Sequence, residues 1–363
     1  MSIETPLNGL LGIRHPVLSA PMDVIAGARL TAAVSRAGGF GILGGGYGER
    51  TWLEQETDKL KQQAAPFGIG FITWSLAKQP DLLDVALAAR PRAIMLSFGD
   101  PKPFAPRIKQ AGALLICQVQ DEAMARQALD AGADILIAQG SEAGGHGASR
   151  TTIDIVPSIV DLAAGRVPVV AAGGIGDGRG LAAMMMLGAS GVLLGTRFYA
   201  SQECDGPEQA KQRICAAKAG TTTRGIIFDL SRNNVWPAPF NGRCLINDHA
   251  RRWMGREIEL LQNVKAVAAD YAAARAAGNF DIAAVIAGEA VGLIHDIPPA
   301  AEIIDRIVAE ADQIMSGRRN STRGVFFPSP LVGEGGARSA PDEGSLSAGK
   351  ISVEPTPHPS RMR

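Results

Sequence analysis

The chain contains the stretch Ala131-Gly132-Ala133-Asp134-Ile135-Leu136-Ile137-Ala138, in which a small residue and a glycine precede a short apolar run. The same pattern recurs at Ala37-Gly38-Gly39, Ala111-Gly112 and Leu187-Gly188, each time after a stretch with helical spacing of apolar residues. Glycine readily ends a helix because it adopts a positive φ without a Cβ penalty. The repeat therefore predicts helices that alternate with strands.

Eight apolar runs without polar alternation lie along the first two hundred residues, as expected for parallel strands that are covered on both faces. They lie near 16–20, 40–43, 67–72, 93–97, 113–118, 134–138, 167–171 and 191–194. Eight strands that alternate with helices within about 180 residues fit a closed barrel better than a doubly wound sheet. The predicted fold class is therefore α/β, specifically a (β/α)8 or TIM barrel.

The rhythm of strands and helices divides the chain into four regions. We predict the barrel over 1–204, a mainly helical insertion after the eighth strand over 205–298, and the closing barrel helix over 299–316. The remaining segment, 317–363, is rich in glycine, proline and serine and shows neither a helical nor a strand period. That composition predicts a disordered C-terminal tail.

The composition indicates a soluble globular protein and excludes several classes of function. Lys+Arg and Asp+Glu both number 36, and this balance argues against nucleic-acid binding. The cysteines form no CxxC pair and no two histidines lie at i,i+4 on one helix, so we expect no metal site. We recognise neither a secretion signal nor a membrane span, which predicts a cytoplasmic protein that has no membrane partner.

Glycine is enriched, with 43 residues, or about 12% against a usual ~7%. The most informative glycines follow the seventh and eighth predicted strands, in Ala172-Gly173-Gly174-Ile175 and Gly195-Thr196-Arg197-Phe198. Free backbone N–H groups in such turns bind phosphate, and phosphate sites of this fold commonly follow these two strands. The glycines do not fit the dinucleotide pattern G-x-G-x-x-G, which favours a mononucleotide.

A single histidine lies in a glycine-rich loop after the sixth predicted strand, in Gln139-Gly140-Ser141-Glu142-Ala143-Gly144-Gly145-His146-Gly147. The loops after the strands form the catalytic face of this fold. Histidine titrates near neutrality and can move a proton without extreme tuning. We therefore predict that His146 is catalytic, whereas the remaining histidines, His15, His249, His295 and His358, have no comparable setting.

Two further strand ends indicate contact with a flat ligand. The first strand ends in Ala20-Pro21-Met22, and Met22 there either packs on a planar ring or belongs to the core. The third strand, Phe67-Gly68-Ile69-Gly70-Phe71, has glycines in its interior. Because such glycines weaken a strand, a ring or a substrate beside Gly70 would explain them.

Together, Ala20-Pro21-Met22, Pro66-Phe67-Gly68, the loop Glu142–His146 and the turns after the seventh and eighth strands resemble the nitronate monooxygenase family, formerly called 2-nitropropane dioxygenase. The resemblance covers about residues 10–316. It implies a (β/α)8 barrel that binds FMN noncovalently and oxidises an alkyl nitronate, or a nitroalkane, with O2 to a carbonyl compound and nitrite. The implied partners are thus small molecules, and homo-oligomerisation is left open.

The same resemblance implies roles for individual residues. Gly173, Gly174, Gly195 and Thr196 would hold the FMN phosphate, Gln139 and Gly144 would lie against the cofactor, and His146 would be the base or would orient the substrate. The full set of expected cofactor contacts is Ala20, Pro21, Met22, Gly70, Gln118, Gln139, Gly144, Gly145, Gly173, Gly174, Gly195 and Thr196.

The sequence departs from the family at Gly70, and it differs from related flavin barrels at Gln118. Many members carry a flavin-contacting Asn where this chain has Gly70, and related flavin barrels carry Lys where it has Gln118. Two alternatives stay open. One is a flavin barrel that takes hydride from NAD(P)H, of the quinone reductase or enoyl-[acyl-carrier-protein] reductase type, and the other is a non-catalytic FMN-binding protein.

Overall fold

The computed structural model describes residues 3–317. Its strands are β1 Val17–Ser19, β2 Gly41–Gly44, β3 Phe67–Ile72, β4 Ala93–Ser97, β5 Leu114–Val119, β6 Ile135–Gln139, β7 Gly145–Gly147, β8 Val169–Ala172, β9 Gly191–Leu194, β10 Thr222–Gly225 and β11 Asn241–Leu245. Its helices are α1 Pro6–Leu11, α2 Ala28–Arg36, α3 Arg50–Leu60, α4 Thr73–Leu76, α5 Leu82–Ala88, α6 Ala105–Gln110, α7 Glu122–Asp130, α8 Thr152–Ala163, α9 Gly178–Met186, α10 Thr196–Tyr199, α11 Glu208–Ala216, α12 Ile227–Ser231, α13 Asp248–Trp253, α14 Glu257–Gln262, α15 Val264–Ala276 and α16 Ala300–Met315.

Eight parallel strands form the central barrel, in the order β1-β9-β8-β6-β5-β4-β3-β2. Backbone hydrogen bonds close the ring between its two ends, because Phe40 N–H donates to Val17 O (2.9 Å) and Ser19 N–H donates to Phe40 O (3.0 Å). Each barrel strand overlaps the range predicted for it. The (β/α)8 prediction is confirmed, with β8 and β9 as the seventh and eighth barrel strands.

The glycines of the repeat end helices ahead of the strands, as expected. Gly38, Gly132 and Gly188 have φ of +91°, +84° and +91°. Alternate strand residues point to two apolar clusters. One cluster lies between the strands and the outer helices, and the other contains strand residues such as Ile116 and Ile137 together with residues of α1. Burial on both strand faces accounts for the absence of polar alternation.

The segment between α10 and α16 is mainly helical, as expected, but it also contains two strands that the sequence did not predict. It contains helices α11 to α15 but also β10 and β11, which pair in antiparallel fashion, and β11 also pairs with β7 of the predicted histidine loop. Gly242 lies opposite His146 in this pairing. These short polar strands lack apolar alternation, so their sequence carries no strand signal. They form because residues distant in the chain supply their hydrogen-bond partners.

The predicted disordered tail lies outside the described residues, apart from Gly317. Within residues 3–317, none of the helices has both the length and the apolar character that a bilayer crossing requires.

Candidate active site

A cavity of about 210 Å³ opens where the barrel strands end. Its lining includes every residue that we predicted from the sequence to be catalytic or to contact a cofactor. These are Ala20, Pro21, Met22, Gly70, Gln118, Gln139, Gly144, Gly145, His146, Gly173, Gly174, Gly195 and Thr196. Loops that follow parallel barrel strands converge on one face, which is why residues so far apart in sequence meet here.

One side of the cavity consists of two turns, Gly173–Gly174 and Gly195–Thr196, which we call the glycine turns. Gly173 has φ of +111°, a value that side chains rarely allow, and a Cβ there would lie 2.8 Å from Thr152 Oγ1. The backbone N–H groups of Gly174, Gly195 and Thr196 donate to no carbonyl or side chain within residues 3–317. Unpaired donors that face a cavity are suited to bind an anion.

Gly70 lies against Pro21, and this contact leaves no room for a side chain at position 70. A Cβ at Gly70 would lie 2.5 Å from Pro21 Cγ and 2.6 Å from Pro21 Cβ. Carbon atoms cannot approach so closely without movement of the backbone. The ring of Pro21 therefore occupies the space that a side chain at position 70 would need.

His146 lies on β7 and its ring is buried. Its Nε2 is 3.0 Å and 3.1 Å from the two carboxylate oxygens of Asp229, which belongs to α12. A carboxylate only accepts hydrogen bonds, so Nε2 carries the proton and Nδ1 keeps its lone pair. Asp229 also accepts a hydrogen bond of 2.6 Å from Arg232. Within the described chain no other group hydrogen-bonds the imidazole.

Two opposing effects act on the protonation of His146. Burial lowers its pKa and is the larger effect, while the hydrogen bond and charge of Asp229 raise it. The net pKa lies below the ordinary histidine value. The imidazole is therefore neutral at neutral pH and can accept a proton.

The indole of Trp236 covers one face of the His146 ring. The two ring centroids are 3.4 Å apart and the planes are inclined by 5°. Trp236 Nε1 donates to Tyr47 Oη (3.1 Å), and the Phe98 ring meets the indole edge-on at 5.1 Å. We call His146, Asp229 and Trp236 the histidine site.

Hydrogen bonds from neighbouring strands fix the loop that carries His146. Gln139 Nε2 donates to the His146 carbonyl (3.0 Å), and Gln120 Nε2 donates to Gln139 Oε1 (2.8 Å). Arg224 of β10 donates to the carbonyls of Ser141 and Ala143, both at 2.9 Å. Gln139, expected to lie against a cofactor, thus also holds the backbone of the histidine.

The sequence reasoning missed Asp229, Arg232 and Trp236, all of which belong to the insertion. The only signal was an acidic residue within an apolar run, Ile227-Phe228-Asp229-Leu230. Asp229 is buried, and aspartate is rarely buried without a partner. That exception indicates a paired carboxylate but does not identify the histidine with which it pairs.

Residues 3–317 contain no group of three or more His, Cys, Asp or Glu side chains arranged to hold an ion.

Comparison with known proteins identifies the family. A family model described as nitronate monooxygenase matches residues 4–81 and 74–310. A nitronate monooxygenase from Pseudomonas aeruginosa is 32% identical over 368 residues, which span 83% of this chain and 97% of that protein. The solved structure of FabK from Thermotoga maritima superposes with a TM-score of 0.77 at 31% identity, and covers 87% of this chain and 98% of that one.

A further relative carries a different name. The "(3aS,4S,5R,7aS)-5-hydroxy-7a-methyl-1-oxo-octahydro-1H-indene-4-carboxyl-CoA dehydrogenase" from Mycobacterium tuberculosis is 30% identical over 344 residues, which span 86% of this chain and 97% of that protein. The extent of the family match and the identity of these relatives decide the assignment. The chain belongs to the nitronate monooxygenase family, a family of flavin-dependent oxidoreductases.

Proposed function

We propose that this enzyme binds FMN noncovalently and oxidises alkyl nitronates, or the parent nitroalkanes, with O2 to a carbonyl compound and nitrite. The observation that carries the proposal is the Asp229–His146 pair, because it presents a neutral imidazole to the cavity that the glycine turns also line. The pair offers a base for a nitroalkane or an orienting group for a nitronate, and the turns offer an anion site for the cofactor.

The residues present fit FMN. The unpaired N–H groups of Gly174, Gly195 and Thr196 suit its phosphate, and the φ of Gly173 keeps side-chain atoms away from that turn. Ala20, Pro21, Met22, Gly70 and Gln118 line the same cavity and would meet the rest of the cofactor. When bound, FMN supplies the electron acceptor and the reactivity with O2.

His146 would accept the substrate proton. Because Nε2 donates to Asp229, Nδ1 of His146 is the atom that would take the carbon-bound proton of a neutral nitroalkane. With a nitronate, which has already lost that proton, His146 would orient the substrate. Arg232 lines the cavity and balances the charge of Asp229, which reduces repulsion of an anionic substrate.

A second candidate is a flavin-dependent reductase that takes hydride from NAD(P)H. Its support is the likeness to FabK and to the dehydrogenase named for a CoA thioester. The glycine turns would serve it equally well, so the two candidates differ in the electron donor. A non-catalytic FMN-binding protein would have no need for a buried, oriented histidine.

The test is to purify the protein, identify any released flavin by mass and absorbance, and supply the holoenzyme with a simple alkyl nitronate or with NADH in air. The proposal predicts FMN, and nitrite release that accompanies O2 uptake with the nitronate. Oxidation of NADH without nitrite release from the nitronate would favour the reductase. Absence of bound flavin would contradict both candidates.

A further inference from the structure

Asp23 lies in a strained turn at the mouth of the barrel, directly after β1. Its φ is +51°, in the left-handed region that residues other than glycine rarely adopt. The turn packs so closely on the end of β2 that a Cβ at Gly44 would overlap the Asp23 backbone, and Ala26 N–H donates to Asp23 O (3.1 Å). Strained residues at a binding site persist because the surrounding structure holds them, and the strain itself suggests a function.

The side chain of Asp23 is as unusual as its backbone. It lines the same cavity as His146. Its Oδ1 is fully buried and has no hydrogen-bond partner within residues 3–317. Leaving a buried acceptor unpaired costs about 1–3 kcal/mol, more when the group is charged. A ligand in the cavity cannot reach Oδ1, so the oxygen that would meet a substrate is Oδ2, which belongs to a partly exposed side chain and makes no hydrogen bond within residues 3–317 either.

The surroundings of Asp23 raise its pKa above the ordinary aspartate value. Burial is the largest cause that raises its pKa, and the negative charge of Glu49 raises it further. The backbone N–H of Val24 and the cations Arg275 and Arg232 act in the opposite direction but more weakly. Tyr47 also lies near Asp23, and it stays protonated because burial raises its pKa to about 12.

We propose that Asp23 is a substrate-binding residue that, as the undissociated carboxylic acid, donates a hydrogen bond to a negatively charged oxygen of the bound nitronate. This inference rests on the proposed nitronate chemistry. An ionised carboxylate at this position would instead repel an anionic substrate. Asp23 follows β1 whereas His146 follows β6, and β8 and β9 separate these strands in the barrel. The substrate would therefore be held from two separate parts of the rim.

Two substitutions separate the parts of this proposal. Asp23→Asn keeps a hydrogen-bond donor and tolerates a positive φ, but cannot ionise. Asp23→Gly removes the side chain and also relieves the backbone strain, so a loss of activity cannot be attributed to a strained turn. Asp130→Asn, at the exposed end of α7, serves as the control substitution. The visible spectrum and the thermal midpoint of each holoenzyme verify bound flavin and folding.

The measurement is kcat/KM for a simple alkyl nitronate from about pH 5 to about pH 9, with the flavin-loaded proteins. At the acid end we expect Asp23→Asn to lie within about threefold of the parent and Asp23→Gly to fall roughly tenfold to a hundredfold, as for loss of a hydrogen bond to a charged group. The donor form of Asp23 exists below its pKa and is lost above it. The ratio of Asp23→Asn to the parent should therefore rise with pH, to about tenfold at the alkaline end.

Three results would overturn the proposal. Parallel pH profiles for the parent and Asp23→Asn would show that ionisation of Asp23 does not affect binding. An unchanged kcat/KM in Asp23→Gly would show that the side chain makes no contact with substrate. A loss in Asp23→Asn as large as that in Asp23→Gly at the acid end would indicate a carboxylate that acts as a base. If the parent enzyme does not oxidise the nitronate at any pH, the proposed function is contradicted, and so is this inference, which rests on it.

Discussion

The glycine turns and the histidine site line one cavity, but the chain assembles them in different ways. Each glycine turn is a contiguous piece that directly follows its own barrel strand, and the insertion adds one hydrogen bond, from Gly288 N–H to Thr196 Oγ1 (2.9 Å). The histidine site joins His146 on β7 to Asp229 and Trp236, which lie 83 residues or more further along the chain. The barrel thus supplies the backbone of the anion site, whereas the base depends on a side chain of the insertion.

A substitution in the glycine turns should have the largest effect, because it removes the cofactor. Gly173→Ala forces a side chain into φ of +111° and against Thr152, and we expect loss of bound flavin and of all flavin-dependent turnover. The matched control is Gly188→Ala, with φ of +91° and a Cβ 2.8 Å from Val160, far from the cavity lining. Both changes should lower stability by about 1–3 kcal/mol. Equal flavin content in the two purified variants would contradict the assignment of the glycine turns as the cofactor site.

His146→Asn should abolish most of the turnover while leaving the cofactor in place. Removal of a general base typically costs about 10²- to 10⁴-fold in rate, and the glycine turns are not touched by this change. The measurement is kcat for nitroalkane oxidation together with the flavin content per protein. Turnover equal to that of the parent would return His146 to a structural role.

The glycine turns and the histidine site also differ in how far the sequence predicts them. The glycine turns and the position of His146 were predictable because each is a short motif at the end of an apolar run. The pairing of Gly242 with His146 was not, since β11 has no apolar period and its partner lies nearly one hundred residues earlier. Gly70 was recognised as a departure from the family, but its close contact with Pro21 was not predictable, because it depends on how β3 packs against the end of β1.

Asp229→Asn should have an intermediate effect. Loss of the charged hydrogen bond to Nε2 is expected to lower kcat for a nitroalkane by roughly tenfold to a hundredfold. The control is Asp248→Asn, which breaks only the exposed pair with Arg251 on α13.

The same variant predicts a shift in pH dependence. For a neutral nitroalkane, kcat/KM of the parent should rise with pH through the pKa of His146, which burial places below its ordinary value. Asp229 raises that pKa, so its replacement should move the rise to lower pH. A rise that stays at the same pH in Asp229→Asn would mean that another group controls the acid limb.

Trp236→Leu should have the smallest effect. Without the stacked indole, water reaches the His146 ring, the penalty of burial decreases, and the acid limb should move toward higher pH. The rate should fall only about threefold to tenfold, in line with an aromatic contact of about 0.5–1.5 kcal/mol. Trp236→Phe, which keeps a ring but not the Nε1 donor, should lie between the parent and the leucine variant.

The central claim is that the enzyme oxidises nitronates, with the flavin held at the glycine turns and the substrate at the histidine site. The most direct test is anaerobic mixing of the purified holoenzyme with an alkyl nitronate or with NADH. The account predicts rapid bleaching of the flavin absorbance by the nitronate, recovery of that absorbance on admission of air, and little bleaching by NADH. Bleaching by NADH but not by the nitronate would contradict it and would assign the cavity to a reductase.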